Sequence, residues 1–122
     1  MIQSLKDNEV ILVGTNTEGR HGKGLAKQAL FMFGLKYGHS KGMCGKCYCI
    51  VTKDLRKGKR SISLKEIEEQ LEKFYLFVKD NPQLTFYLTP IGSGLSGYSI
   101  EEIELIFDKF KWPSNCVHWR NE

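Results

Sequence analysis

Three stretches of the chain gather the residue types that hold anions or attack electrophiles. The first, Gly14-Thr-Asn-Thr-Glu-Gly-Arg-His-Gly-Lys-Gly24, spaces Gly19, Gly22 and Gly24 so that backbone can approach a ligand closely. The second, Thr89-Pro-Ile-Gly-Ser-Gly-Leu-Ser-Gly-Tyr98, repeats the form with Gly92, Gly94 and Gly97. Each runs from a β-prone segment into a helical one, and amides at a helix start, reinforced by the helix dipole, favour phosphate. Two such turns suit the paired phosphates of a pyrophosphate better than a single phosphate. The candidate ligand-binding residues are Gly14, Thr15, Arg20, Gly22, Lys23 and Gly24 in the first turn, and Ile91, Gly92, Ser93, Gly94, Leu95, Ser96, Gly97 and Tyr98 in the second.

The third stretch, Thr52-Lys-Asp-Leu-Arg-Lys-Gly-Lys-Arg60, puts Lys53 directly after a β-prone run. A lysine there reaches a phosphate as an ammonium, or attacks a sugar anomeric carbon as a neutral amine. Asn16, Glu18 and His21, polar groups of the first turn, are the candidate catalytic groups beside it, the imidazole as a general base near neutral pH. Plainer readings stand beside these: glycines that only make tight turns, a loop histidine with no role, a Tyr98 packed in the core, and a basic run from Arg56 to Arg60 that stays in water. The spacing is neither a Walker motif, which would end in Gly-Lys-Ser/Thr, nor the dinucleotide fingerprint in its usual register.

Cys44-Gly-Lys-Cys47 has the spacing of half a zinc site with His39 nearby, but the second half is missing. No metal is expected, and Cys47 and Cys49 read as compact apolar residues of a strand. No motif requires a cofactor.

The elements that must carry these stretches follow from periodicity. Val10-Ile-Leu-Val13 is an apolar run covered on both faces, and Leu25, Ala26, Ala29, Leu30 and Phe33 fall at helical spacing before Gly34, which is placed for a left-handed cap. Tyr48 to Val51 is a second strand. Ser63-Leu-Lys-Glu66 is a capping box that opens a helix with Leu64, Ile67, Leu71, Phe74 and Val78 on one face. Leu84 to Leu88 makes a third strand, Ser99-Ile-Glu-Glu102 caps a third helix carrying Ile103, Ile106, Phe107 and Phe110, and Trp112-Pro113 ends it. Cys116 to Trp119 closes the order β-α-β-α-β-α-β. The expected architecture is α/β, a three-layer α/β/α sandwich on a mostly parallel sheet, formed by one domain over residues 1–122.

Composition excludes more than it specifies. With 41% hydrophobic and 26% charged residues the chain is neither disordered nor fibrous, and its formal charge of +4 is mild though locally uneven. No apolar run approaches the ~20 residues of a membrane span and the start has no signal-peptide core, so no membrane partner and a cytoplasmic setting are expected.

Gly22-Lys-Gly-Leu-Ala-Lys-Gln-Ala29 with Phe33-Gly34, then Gly45 to Thr52, then Pro90-Ile-Gly-Ser-Gly-Leu-Ser-Gly97, resemble in order the ligand-binding segments of the macrodomains. That resemblance implies an α/β/α sandwich binding ADP-ribose between glycine-rich loops. Thr52-Lys53 looks like the Thr-Lys of the small glycohydrolases that remove terminal ADP-ribose, whose lysine can form a covalent adduct with ribose; ADP-ribosylated protein or nucleic acid is the partner this implies. The chain departs from their pattern at Ser96, where they carry an acid after Gly-x-Gly-Leu, and Glu18 is the residue that would substitute. Gly14-Thr-Asn16 with Gly19-Arg-His-Gly22 is also similar to short phage-associated and bacterial proteins of unassigned activity. The expectation is a binder of ADP-ribose or a related nucleotide, with hydrolysis of an ADP-ribosyl bond left open. Two alternatives are a non-catalytic nucleotide sensor, and a nucleic-acid module using Arg56, Lys57, Lys59 and Arg60 with Tyr48, Tyr98 and Trp119 as stacking surfaces.

Overall fold

The apolar run at the start of the chain forms the centre of a five-stranded sheet. In the computed structural model, which describes residues 4–94 and 96–119, the elements are β1 (Glu9–Asn16), α1 (Gly24–Met32), β2 (Gly42–Cys44), β3 (Cys47–Lys53), α2 (Leu64–Asp80), β4 (Thr85–Tyr87), α3 (Ile100–Phe107) and β5 (Cys116–Val117). The strand order is β2-β3-β1-β4-β5, with β3, β1, β4 and β5 parallel and β2 antiparallel to β3.

Alternation along β1 divides the core in two. Ile11 and Val13 pack with Cys47 and Cys49 of β3 and with Ala29 and Phe33, the last just past the end of α1. Val10 and Leu12 pack with Ile50, Phe86 and Leu88 and with the buried faces of α2 and α3, among them Ile67, Leu71, Phe74, Ile103 and Phe107. Both sets are almost wholly withdrawn from water, which is why Val10 to Val13 shows no polar alternation.

The helix signals hold with two adjustments. At α2 only half of the expected box forms, Ser63 accepting from the Glu66 amide without the reciprocal bond, whereas Ser99 with Glu102 forms a complete reciprocal capping box. α3 ends at Phe107 rather than running to Phe110, because its last turn tightens: the Lys109 and Phe110 amides reach back only three residues, and the Trp112 indole donates to the Phe107 carbonyl at 3.0 Å. Gly34 adopts the left-handed cap conformation with φ 76°.

The expected strand order lacked β2. Its three residues pair across the Gly45-Lys46 turn, Cys44 facing Cys47, and make the one antiparallel edge of the sheet. Among the described residues no helix is long and apolar enough to cross a membrane.

Candidate functional site

Chain direction at the C-terminal edge of the sheet opens a crevice. The loop after β1 leads to α1, which joins one core cluster, while the loop after β4 leads to α3, which joins the other. Neighbouring parallel strands whose connections part in this way leave a gap beyond their carboxyl ends, the usual ligand position in open α/β sheets. A cleft of about 760 Å³ lies there, formed by residues 14–16 at the end of β1, 20 and 22–26 in the following loop and the start of α1, 52 and 53 at the end of β3 with 55 beyond it, and 89–92, 94 and 96 after β4.

The floor is built where three strand ends meet. A Cβ added to Gly14 would lie 3.4 Å from Thr52 Oγ1, 3.5 Å from Ile91 Cβ and 3.6 Å from the Gly92 amide nitrogen. Beneath it the Ser96 hydroxyl, buried, donates to Thr52 Oγ1 at 2.7 Å, and Thr52 Oγ1 donates to the Thr15 carbonyl at 3.2 Å. This chain of hydroxyls ties the second glycine-rich turn to β3 and β1. A register irregularity between Thr15 and Asn16, opposite Lys53, turns the strand ends at the cleft mouth.

The first turn is held by Asn16. Its side-chain amide donates to the Arg20 carbonyl at 2.6 Å and accepts from the Arg20 and Glu18 amides at 2.9 and 3.3 Å. The group is therefore committed to shaping the loop. The loop also leans on residues 36–40, through the Gly38 amide on the Gly19 carbonyl at 2.8 Å and through a backbone contact so close that a Cβ on Gly19 would stand 2.3 Å from the Gly38 carbonyl carbon.

Helix α1 begins at the cleft without a side-chain cap. Its N-cap residue Lys23 makes no capping hydrogen bond and the first turn carries no acid, whereas α2 and α3 are both capped by serine with acids in the first turn. Gly24, Leu25 and Ala26 of this uncapped turn line the cleft. Orphan amides and the positive helix end then face the ligand space. Charge agrees: the lining carries Arg20, Lys23 and Lys53 and, among the described residues, no carboxylate.

Of the residues singled out in the sequence, Gly14, Thr15, Asn16, Arg20, Gly22, Lys23, Gly24, Lys53, Ile91, Gly92, Gly94 and Ser96 line the cleft. Glu18, His21, Ser93, Gly97 and Tyr98 do not, and Leu95 lies outside the described residues. Glu18 is exposed and pairs with Arg20 at 3.5 Å. His21 is buried, its Nε2 3.1 Å from the Lys36 carbonyl; a carbonyl only accepts, so Nε2 carries the proton and Nδ1 is left buried with no partner. Ser93 donates to the Pro90 carbonyl at 2.6 Å and so shapes the turn. Tyr98 is packed in the core with its hydroxyl donating to the Ile62 carbonyl at 2.6 Å, and burial raises its pKa. Leu25, Ala26, Thr52, Leu55, Thr89 and Pro90 also line the cleft, though the sequence reading gave none of them a ligand contact, and all but the two threonines supply the apolar part of the wall.

Beside Lys53, the Asp54 carboxylate turns inward and accepts from the Arg56 amide at 3.0 Å and from its guanidinium at 3.2 and 3.1 Å. These bonds hold its pKa down at about 2. The thiols of Cys47, Cys49 and Cys116 are pushed up to about 12 by burial, so they stay protonated. Among the described residues no group of three or more His, Cys, Asp or Glu side chains is arranged to hold a metal ion. Neither a protein-family model, nor a curated protein, nor a solved structure matches this chain.

Proposed function

We propose that the cleft binds the diphosphate of a nucleotide, ADP-ribose or a close relative, in a three-layer α/β/α sandwich of the macrodomain kind working in the cytoplasm. The observation that carries the reading is the convergence of two glycine-rich turns and an uncapped helix start on one cleft whose described lining has three cations and no carboxylate. Two phosphates would lie against the amides of the two turns, with Lys53 and Lys23 as charge partners and the ribose and base along the apolar wall of Leu25, Leu55 and Ile91.

Calorimetric titration with ADP-ribose, ADP and NAD tests this. Saturable binding of ADP-ribose is expected, and absence of binding by all three removes the reading.

Binding without hydrolysis is the form the geometry favours. Lys53 is at hand as a nucleophile, but the described lining offers no acid to resolve an adduct, Ser96 is engaged with Thr52, and His21 is turned to the Lys36 carbonyl. A single-turnover assay on ADP-ribosylated protein or DNA decides the point: release of ADP-ribose that Lys53→Ala abolishes would make the protein a glycohydrolase. The nucleic-acid reading has less support. Arg56 and Arg60 are paired with Asp54 and Glu102, Tyr48 packs on Phe74 and Phe77, and Tyr98 is buried.

A further inference from the structure

Arg60 is the one non-glycine residue with a left-handed backbone among those described, at φ 58°. L side chains hold that conformation only where their surroundings over-determine it. Three contacts do so here. The Arg60 amide donates to the Ser96 carbonyl at 2.8 Å. Its guanidinium makes a two-pronged pair with Glu102, Nη1 to Oε2 at 3.0 Å and Nη2 to Oε1 at 2.7 Å. The same guanidinium lies over the Tyr98 ring, 4.9 Å from its centre.

Each partner belongs to the second glycine-rich turn or to the helix that follows it. Ser96 lines the cleft and bonds to Thr52. Glu102 also accepts from the Ser99 amide at 3.1 Å, in the capping box that starts α3. The stem of Lys59 covers Gly97, where an added Cβ would stand 2.7 Å from the Lys59 Cβ. Arg60 itself is absent from the cleft wall.

We propose that Arg60 is a positioning residue for the cleft, holding Ser96 and the start of α3 in their binding form through Ser96, Tyr98 and Glu102 without touching the ligand. The inference rests on the diphosphate reading of the cleft. It gives the basic loop a task different from contact with an external polyanion: the loop clamps the neighbouring turn.

The test is ADP-ribose affinity by calorimetry, measured first on the wild-type chain and then on Arg60→Ala, Glu102→Gln, the double variant and Lys57→Ala, each shown folded by circular dichroism well below its melting temperature. Arg60→Ala is expected to weaken binding about tenfold, the scale of coupling within a shared network, and the double variant no further than Arg60→Ala alone. Lys57→Ala, which removes the same charge from the same loop, stays close to wild type. The sign at Glu102 is decisive. Removing a negative charge near an anion site strengthens binding if only the field matters, and weakens it if the carboxylate anchors Arg60. A role in stability alone would shift melting temperatures and leave the affinity of the folded protein unchanged. Should Arg60→Ala not fold, Arg60→Lys keeps the charge, loses the two-pronged bond and carries the same expectation. Wild-type affinity in the Arg60 variant, equal loss in Lys57→Ala, or tighter binding in Glu102→Gln overturns the proposal. No nucleotide binding by the wild-type chain overturns the diphosphate reading with it, and is seen before any variant is compared.

Discussion

At Gly22 and Gly94 the missing side chain serves nothing inside the protein. Neither has a positive φ, and a Cβ added to either would meet no atom within 4 Å, yet both line the cleft. Gly19 is the opposite case, with φ 65° and a Cβ that would collide with Gly38. Gly22→Val and Gly94→Val are therefore expected to change stability by no more than about 0.5 kcal/mol while sharply reducing ADP-ribose affinity, whereas Gly19→Ala is expected to cost about 1–3 kcal/mol in a urea melt. Valine at Gly24 is a poorer probe, since φ 60° there makes any side chain strained whether or not a ligand is bound. Lys53 is the residue whose loss should be felt most by a phosphate. Lys53→Ala is expected to weaken binding roughly 10- to 100-fold, the worth of a charge-assisted hydrogen bond, with little effect on the melt. Equal affinity in calorimetry would take Lys53 out of the site.

Among the elements, α1 stands apart because it omits the cap that α2 and α3 both have. Its N-cap position, Lys23, has the extended backbone that a capping residue uses, φ −146° and ψ 159°. Lys23→Asp is thus expected to move two properties in opposite directions, stabilising the fold by about 0.5–1 kcal/mol while weakening anion binding. Ser99→Ala, at the capped helix, should cost about 1 kcal/mol. A parallel loss of stability and affinity in Lys23→Asp would mean that the helix start is not kept open for a ligand. Helices were the legible part of the sequence, since a repeat such as Ile67, Leu71, Phe74 and Val78 is a local pattern and all four side chains are buried. β2 was not, because three residues carry no periodicity and their pairing is decided by the partner strand across the turn. Most of the cleft lining was legible for a related reason: a strand, glycines and a helix start lie close together in the chain. The orientations of His21 and Tyr98 were not, since residue type does not say whether a side chain turns to the cleft, to the Lys36 carbonyl or to the core.

For the molecule as a whole, three bonded carboxylates, one between strands and two paired with arginines of the loop beside the cleft, shape its response to acid. Glu9 accepts from the Tyr87 hydroxyl at 2.6 Å, linking β1 to β4 away from the cleft. Asp54 and Glu102 hold Arg56 and Arg60 beside it. All three have lowered pKa values, through the Tyr87 hydroxyl, the Arg56 side chain and the Arg60 side chain respectively, with Asp54 at about 2 against an ordinary 3.8. A group whose folded pKa is depressed binds protons more readily when unfolded, so its contribution is present above the unfolded value and disappears as pH falls through the folded one. For Asp54 that window runs from about 4 down to about 2. Urea midpoints should change little between about pH 7 and about pH 5 and fall steeply below about pH 4. Asp54→Asn should lower stability near neutral pH, where the ionised pair with Arg56 is lost, and flatten the acid limb because one titrating group has gone. The difference between the two midpoint curves isolates Asp54 from the other carboxylates. If the variant follows the wild-type slope between about pH 4 and about pH 2, the inward carboxylate does not govern acid stability and the 54–61 loop is held by its other bonds, chief among them the Asp54 amide on Ser61 Oγ.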